Sequence, residues 1–402
     1  DGDGGPLKQA APLSIARAVK AGQGPMDMNR HAGLRQKTNP QPASGRTAAR
    51  LHHIELAVTL YPCSVSPPAA ATSASLASQV FGAQTNFASS ETSHDGLATA
   101  RMRDGELIPL VGLGTYLSDS GEETEASCLA ALSAGYRHID TAQGYDNEES
   151  VGVAIARSGV ARAEVFVTTK LWPGNAEWGE PEPDFDGVLA ACTASLHRLG
   201  LQYVDLYLIH APFSRTHRLD QWRACLELRR RGLCRSVGVS NYAERHLQEI
   251  DSAGLDLPAV NQLELHPFNT KPELLEFMAQ RNILPVAYSS LAPLSTWRQA
   301  NGHVEASAKS SGLVNATSSP FASIAARYED SNGVVVDEAR LLLRWAVQQG
   351  WPVLPKSNRQ ERVLSNMDLF SFEISDADMA EMSAMNQNLA MAWGAGDPCD
   401  AL

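Results

Sequence analysis

From about residue 100 onward, segments typical of β-strands alternate with segments typical of helices. Glycine follows several of the predicted helices, at Gly135, Gly232 and Gly350, where it is a common stop signal. Eight strand–helix pairs indicate a parallel (β/α)8 barrel, whose usual length is about 250 residues. The predicted strands lie near residues 110–114, 136–140, 165–170, 204–210, 234–240, 259–263, 283–288 and 352–356, and the predicted helices near 122–134, 147–158, 187–199, 219–231, 244–253, 271–281, 336–349 and 359–366.

A doubly wound open sheet is the competing architecture for the same alternation. That fold carries G-x-G-x-x-G after its first strand, and the segment Gly112 to Leu117 lacks the third glycine. An Asp104-Gly105 pair between short extended runs also predicts a β-hairpin before the barrel. The predicted fold class is therefore α/β, a (β/α)8 TIM barrel with an N-terminal hairpin and a disordered N-terminal extension.

The first part of the chain differs in composition from the rest. Residues 56–90 carry no charged side chain and are rich in Ala, Ser and Thr, and no regular apolar period runs through them. We predict a disordered extension over residues 1–98, which is a candidate transit segment, and the barrel over residues 99–402. The expected location is the cytoplasm, with a plastid as the alternative if residues 1–98 are a transit segment, because a basic, Ser/Ala-rich leader is typical of such segments.

Charge and composition argue against several classes of partner. The net charge of -12 disfavours binding to nucleic acid or to anionic membranes. No stretch approaches the ~20 apolar residues of a membrane span. The six cysteines are scattered without a C-x-x-C pair, which disfavours a zinc site or a disulfide framework. We therefore expect no metal, no nucleic acid and no membrane partner. A monomer is expected, since nothing in the sequence demands an oligomer, and the expected partner is a small-molecule substrate.

Residues 293–335 interrupt the alternation after the seventh predicted strand. The region is rich in Ser, Ala, Asn and Gly, and a helix is predicted near residues 320–328. Loops of this length inside a compact domain are usually lids or binding loops. We expect this one to lie on the face of the barrel that carries the active site.

Polar residues follow three of the predicted strands. Asp140, Lys170 and His210 each end an apolar run, and Tyr145 follows Asp140 in the next loop. The carboxyl ends of parallel strands meet at one face of a barrel, where active sites lie. Each residue alone also has a structural interpretation, such as a cap or a buried core side chain, but all of them at equivalent strand ends indicate a site.

These residue types suit the reduction of a carbonyl group. A free tyrosine has a pKa of about 10. A nearby ammonium such as that of Lys170 is expected to lower the pKa of Tyr145, so that Tyr145 can act as a general acid near neutral pH. Asp140 would pair with Lys170, and His210 would donate to a carbonyl oxygen. The set contains no protein nucleophile, so a hydride from a nicotinamide cofactor is implied. A metal-dependent hydrolase would need clustered ligands, which His138, His210 and His266 do not supply.

Longer motifs show a resemblance to a known family. Residues 135–152, 203–212 and 354–366 resemble, in order, the three signatures of the aldo-keto reductase family, and residues 237–241 and 261–267 also match it. The resemblance covers roughly residues 100–390. It implies that Asp140, Tyr145, Lys170 and His210 form the catalytic tetrad, with Tyr145 as the acid.

The same resemblance assigns a site for NADPH/NADP+. It implies that the nicotinamide carboxamide is held by Ser240, Asn241 and Gln262, with Tyr288 stacked on the ring. The remaining contacts that it implies are Ser289 and Leu291 to the pyrophosphate, Lys356, Ser357 and Arg362 to the 2′-phosphate, and Asn366 to the adenine. Two cations and a hydroxyl near a helix start make an anion site, so NADPH is expected in preference to NADH.

Some positions depart from the family pattern. Ala211 stands where many relatives carry a bulky aromatic residue, which predicts a wider substrate pocket. Ser290 replaces a usual proline, which predicts a looser pyrophosphate loop, and Ser365 stands where an acidic adenine contact is common. The expected substrate-pocket residues are Tyr116, Trp172, Ala211 and Phe213. Trp393 in the C-terminal tail is either a lid of the pocket or a packing anchor.

The sequence thus predicts an NADPH-dependent oxidoreductase, of the aldehyde reductase type, that reduces aldehydes or ketones to alcohols with a tyrosine general acid. The alternative is a barrel that binds NADPH as a redox-sensing or accessory subunit without significant turnover. Measurable turnover would separate the two hypotheses, whereas tight cofactor binding would not.

Overall fold

The structure, a computed structural model, describes residues 91–92, 97–294, 319–393 and 396–402. Nearly all of the predicted extension, residues 1–98, lies outside the described residues, so its predicted disorder and its boundary at residue 98 stay predictions. The same holds for residues 295–318 of the predicted long loop.

A small antiparallel sheet precedes the barrel. It contains β1 (Glu91–Thr92), β2 (Ala98–Arg101) and β3 (Leu107–Pro109) in that order. The turn between β2 and β3 places Gly105 at a φ of 92°, a conformation that costs glycine little because it has no Cβ. The predicted hairpin is confirmed, and β1 lies within the stretch predicted as the extension.

The barrel strands run in sequence order and are all parallel. The eighth predicted strand, near residues 352–356, is reduced to bridges from Val353 to Val111 and to Ala287. Val353 N donates to Leu110 O at 2.8 Å, and Ala287 N donates to Pro352 O at 2.7 Å, so the ring closes. The barrel prediction is confirmed, and the open-sheet alternative is wrong. The strands are β4 (Leu113–Gly114), β5 (His138–Asp140), β6 (Phe166–Leu171), β7 (Val204–Ile209), β8 (Cys234–Ser240), β9 (Val260–Glu264) and β10 (Leu284–Tyr288).

Helices connect the strands and cover the outside of the barrel. Asp184 and Asp337 cap two of them by accepting hydrogen bonds from Gly187 N at 2.9 Å and Arg340 N at 2.8 Å. No helix among the described residues is long and apolar enough to cross a membrane. The helices are α1 (Glu122–Ser133), α2 (Glu148–Arg157), α3 (Phe185–Leu199), α4 (Arg218–Arg230), α5 (Glu244–Ser252), α6 (Pro272–Ala279), α7 (Pro320–Ala325), α8 (Glu338–Gln348), α9 (Gln360–Met367) and α10 (Asp376–Ser383).

The core lies inside the barrel and between barrel and helices. Every residue of β6 and β7 is buried, as expected for strands covered on both faces. Helices α2 and α3 approach closely at Gly152, where a Cβ atom would lie 2.1 Å from Leu199 O. This close packing fixes the strands, and the polar residues at their carboxyl ends are held on a rigid frame.

Candidate active site

The four predicted catalytic residues meet at the carboxyl ends of neighbouring strands. Asp140 ends β5, Lys170 lies near the end of β6, and His210 directly follows β7. Tyr145 ends a 3-10 turn, Gln143–Tyr145, in the loop after β5. Lys170 Nζ lies 3.4 Å from the Tyr145 hydroxyl, which lies 3.5 Å from His210 Nε2.

Lys170 and Asp140 form a buried ion pair. Lys170 Nζ donates to Asp140 Oδ1 at 2.5 Å and to Thr141 O at 2.9 Å, and Gln262 Nε2 donates to Asp140 Oδ2 at 2.8 Å. Burial lowers the pKa of the Lys170 ammonium, and the attraction of Asp140 opposes that shift. With the Tyr145 hydroxyl as third neighbour, each hydrogen of the ammonium faces an oxygen.

The pKa of Tyr145 is shifted in the direction opposite to the expected one. It is raised well above its usual value, first by burial and then by the negative charge of Asp140. The expected net lowering of this pKa is wrong for this arrangement, because burial and the charge of Asp140, with which the ammonium is paired, outweigh the attraction of Lys170 for a phenolate. The Tyr145 hydroxyl therefore keeps its proton at neutral pH.

His210 is neutral at pH 7. Burial and the positive charge of Lys170 lower its pKa well below the usual value. Asn241 Nδ2 donates to the backbone oxygen of His210 at 3.0 Å, which fixes the chain after β7. With Nε2 towards the Tyr145 hydroxyl, the neutral imidazole can donate one hydrogen bond to an oxygen placed between the two rings.

The other strand histidine takes no part in this site. His138 Nε2 lies 3.0 Å from Thr168 Oγ1, and burial lowers the pKa of His138 to about 3. In the ranges that the structure describes, no group of three or more His, Cys, Asp or Glu side chains is arranged to hold a metal ion.

A cavity of about 990 Å³ opens at the tetrad. Asp140, Tyr145 and His210 line it, and it extends to the start of α9. All of the residues that the family resemblance assigns to the cofactor also line it, namely Ser240, Asn241, Gln262, Tyr288, Ser289, Leu291, Lys356, Ser357, Arg362 and Asn366.

The part of the cavity nearest the tetrad is lined by connected amide and hydroxyl groups. Asn241 Nδ2 donates to Ser240 Oγ at 3.0 Å, and Ser240 Oγ donates to Gln262 O at 2.8 Å. Tyr288 Oη donates to Asn241 Oδ1 at 2.7 Å. These groups offer both donors and acceptors, as a carboxamide requires.

The far end of the cavity carries positive charge. Lys356 and Arg362 lie there together with Arg359, which the sequence reasoning missed although it directly precedes α9. Ser290 Oγ lines the same cavity, is buried and has no hydrogen-bond partner among the described residues. Cations at a helix start and an unsatisfied hydroxyl fit an anionic dinucleotide with a phosphorylated ribose.

Aromatic side chains surround the other end, beside the tetrad. The Tyr116 ring centroid lies 5.0 Å from that of Tyr145, and the Trp172 ring lies 5.7 Å from that of His210. Phe213 packs on Trp172 and on Trp178, which the sequence reasoning missed. Tyr116 and Trp178 line the cavity. Ala211 is fully buried and is not among the lining residues, so the predicted widening of the pocket stays a prediction.

The C-terminal tail completes this end. Trp393 lines the cavity, and its indole Nε1 donates to Tyr288 Oη at 2.9 Å. Its ring lies 6.0 Å from that of His210 and 5.7 Å from that of Phe213. Glu264, which accepts hydrogen bonds from the tail backbone, was also missed. The signal for it was a carboxylate in an otherwise buried strand, since such a group needs partners.

Comparisons with known proteins agree with this arrangement. The family model described as Aldo/keto reductase family matches residues 111–387. An "Aldo-keto reductase" of Mycobacterium sp. (strain JLS) is 42% identical over 292 residues, 72% of this chain and 94% of that protein. The "Glyoxal reductase" of Bacillus subtilis (strain 168) is 37% identical over 290 residues, 72% of this chain and 93% of that protein.

Solved structures give the same result. The crystal structure of a Bombyx mori aldo-keto reductase in complex with NADP superposes with a TM-score of 0.62 at 31% identity, and the match covers 73% of this chain and 94% of that one. The order of the strands, the residues at their carboxyl ends and these similarities all lead to one assignment. The chain belongs to the aldo/keto reductase family.

Proposed function

We propose that this protein is an NADPH-dependent oxidoreductase, of the aldehyde reductase type, that reduces aldehydes or ketones to alcohols. The observation that carries the proposal is the position of the Tyr145 hydroxyl between Lys170 Nζ and His210 Nε2, at 3.4 and 3.5 Å, on the wall of a cavity suited to a dinucleotide. Membership of the family supports it. The related silkworm structure, which was solved with NADP, supports the choice of cofactor.

The chain's own residues would hold NADPH along the cavity, and the cofactor, when bound, supplies a hydride. Ser240, Asn241 and Gln262 would bind the carboxamide beside the tetrad, where the Asn241 side chain is already hydrogen-bonded to those of Ser240 and Tyr288. Lys356 and Arg362 would bind the 2′-phosphate, with Arg359 as a further cation. A 2′-phosphate is the group that distinguishes NADPH from NADH, so the preference depends on these cations.

Tyr145 would supply the proton. Its raised pKa means that the hydroxyl is protonated when a carbonyl oxygen arrives beside it. As negative charge develops on that oxygen, the O–H bond of Tyr145 breaks and the proton moves to the oxygen. Lys170, 3.4 Å away, would stabilise the phenolate that remains, and neutral His210 would donate a hydrogen bond to the same oxygen.

The choice of substrate rests on the aromatic end of the cavity. Tyr116 and Trp178, which line the cavity, would form the apolar wall around the carbonyl carbon, with Trp172 and Phe213 packed against Trp178. One relative carries the name glyoxal reductase, so small aldehydes belong in the first substrate panel together with larger aromatic ones. The expected monomeric state and the location in the cell stay predictions.

The test compares the wild type with Tyr145→Phe in an assay that follows the loss of NADPH absorbance with a panel of aldehydes and ketones. We expect kcat to fall by about 10²- to 10⁴-fold, since one proton donor is lost. The NADPH dissociation constant should stay unchanged. Tyr203→Phe is the matched control, because Tyr203 precedes β7, beside Arg162, at the opposite end of that strand from His210.

Two outcomes would contradict the proposal. If the Tyr145→Phe variant reduces carbonyls at the wild-type rate, Tyr145 is not the proton donor. A wild type that binds NADPH but reduces no carbonyl in the panel would favour the redox-sensing or accessory alternative.

A further inference from the structure

Glu264 is a buried carboxylate at the end of β9 that takes no part in the proposed chemistry. Only 2% of its surface is exposed. Its Oε1 accepts a hydrogen bond from Met391 N at 2.6 Å, and its Oε2 accepts one from Ala392 N at 2.9 Å. His266 Nε2 lies 3.0 Å from Oε1.

The partners of this carboxylate explain why it is tolerated inside the fold. A buried charge is costly unless hydrogen bonds replace its hydration, and bonds from backbone N–H groups to a carboxylate are stronger than neutral ones. Two of the partners belong to the C-terminal tail, which has neither helix nor strand at residues 391–393. We call these residues the tail segment. Glu264 therefore fixes a part of the chain that no backbone ladder holds.

The tail segment carries Trp393 into the aromatic end of the cavity. Its indole donates to Tyr288 Oη, and Tyr288 Oη in turn donates to Asn241 Oδ1 at 2.7 Å. The same indole packs against the rings of His210 and Phe213. One continuous set of contacts thus runs from the Glu264 carboxylate to residues on both the substrate side and the nicotinamide side.

The later part of the tail has separate anchors. Lys271 pairs with Asp397, and Arg245 Nη2 donates to Cys399 O at 2.7 Å. Arg218 Nη2 donates to Leu402 O at 2.8 Å. These contacts hold residues 397–402, so removal of the Glu264 bonds would release the tail segment without detaching the chain end.

We propose that Glu264 is a positioning residue for carbonyl binding: it holds the tail segment so that the Trp393 indole forms one wall of the substrate pocket. The inference rests on the proposed function, because it concerns the same cavity. It assigns to Glu264 an effect on substrate affinity that acts through Trp393 and leaves the proton transfer from Tyr145 intact.

The first test is Glu264→Gln, which removes the negative charge and leaves one amide oxygen where two carboxylate oxygens accept from the tail N–H groups. We expect KM for a bulky aromatic aldehyde to rise about tenfold, since charge-assisted bonds are lost, while kcat stays within about twofold of the wild type. KM for a small aliphatic aldehyde should change less, because it contacts less of the Trp393 wall. Asp205→Asn is the matched control, since Asp205 is also buried and accepts from a backbone donor, Val167 N at 2.9 Å, but lies at the start of β7.

A double-mutant cycle with Trp393→Ala separates positioning from general weakening. If Glu264 acts through Trp393, Glu264→Gln raises KM for the aromatic aldehyde in the wild-type background and has little further effect in the Trp393→Ala background. The same factor in both backgrounds would overturn the proposal. If Glu264→Gln does not fold, Glu264→Asp, which keeps the charge on a shorter side chain, takes its place, and Trp393→Ala alone must still raise KM without lowering kcat.

Hydrogen exchange of the tail keeps this inference separate from the proposed function. The backbone amides of Met391 and Ala392 should exchange faster in Glu264→Gln than in the wild type. Their exchange rates should be unchanged in Asp205→Asn. A wild type without carbonyl turnover would refute the proposed function, and this exchange would still test whether Glu264 holds the tail segment. Unchanged exchange together with unchanged KM would refute the role of Glu264.

Discussion

The Lys170–Asp140 pair gives a quantitative prediction for stability. The Lys170 side chain is 0% exposed and that of Asp140 is 5% exposed. In Lys170→Met, Asp140 Oδ1 and Thr141 O lose their donor, and Asp140 retains only the bond from Gln262. Breaking a buried pair by removal of one partner costs about 3–5 kcal/mol, because the other charge remains buried. We expect a loss of that size in the free energy of unfolding at pH 7.

Urea denaturation of the wild type and the variant would measure this loss, provided that the two proteins have equal m-values. The double variant Lys170→Met/Asp140→Asn should recover a large part of it, since no unpaired charge remains. Lys356→Met is the matched control: Lys356 is exposed, so its replacement should change stability by about 0.5 kcal/mol or less. A loss below about 1 kcal/mol in Lys170→Met, with no recovery in the double variant, would refute the reasoning about the buried pair.

Three further predictions concern pH, packing and the cofactor. The pKa of His138 is about 3 in the folded state and about 6.5 when unfolded, so the unfolded state binds more protons between these values. His138 alone should therefore lower stability by about 2 kcal/mol from pH 7 to pH 5, and urea titrations at both values should show a fall smaller by about that amount in His138→Gln. Gly152→Ala should cost about 3 kcal/mol by thermal unfolding, because its Cβ would meet Leu199 O, whereas at Gly144 the nearest atom is 4.0 Å away and alanine should be tolerated. Arg362→Ala should raise the dissociation constant of NADPH about tenfold or more and leave that of NADH unchanged, and an equal effect on both would exclude a 2′-phosphate contact.

The alternation of segments predicted the barrel and the convergence of the tetrad, because strand ends in a parallel barrel must share a face. The pKa of Tyr145 could not be predicted in the same way. The direction of the pKa shift depends on the partner of the Lys170 ammonium, and in the structure that partner is Asp140. The expected closeness of Tyr145 to a cation therefore predicted the wrong direction of the pKa shift, since burial and the charge of Asp140 raise this pKa.

Residues with distant partners were the ones that the sequence reasoning missed. Glu264 is held by contacts between β9 and a tail more than a hundred residues later in the chain, and no local pattern encodes such pairs. By contrast, α10 was missed although its signal is local. Ser375 caps it by accepting from Asp378 N at 3.2 Å, and acidic residues occupy its first turn.

The closure of the barrel at Val353 has a consequence for cofactor binding. Residues 352–355 join β10 to the segment before β4 through isolated bridges and backbone hydrogen bonds, and they form a seam without a regular strand of their own. Lys356, Ser357 and α9 follow this seam directly. A ligand that holds those residues against β10 would also hold the seam shut, and by linkage a tighter seam favours the ligand. The seam is thus a joint of the barrel where binding energy can be converted into global stability.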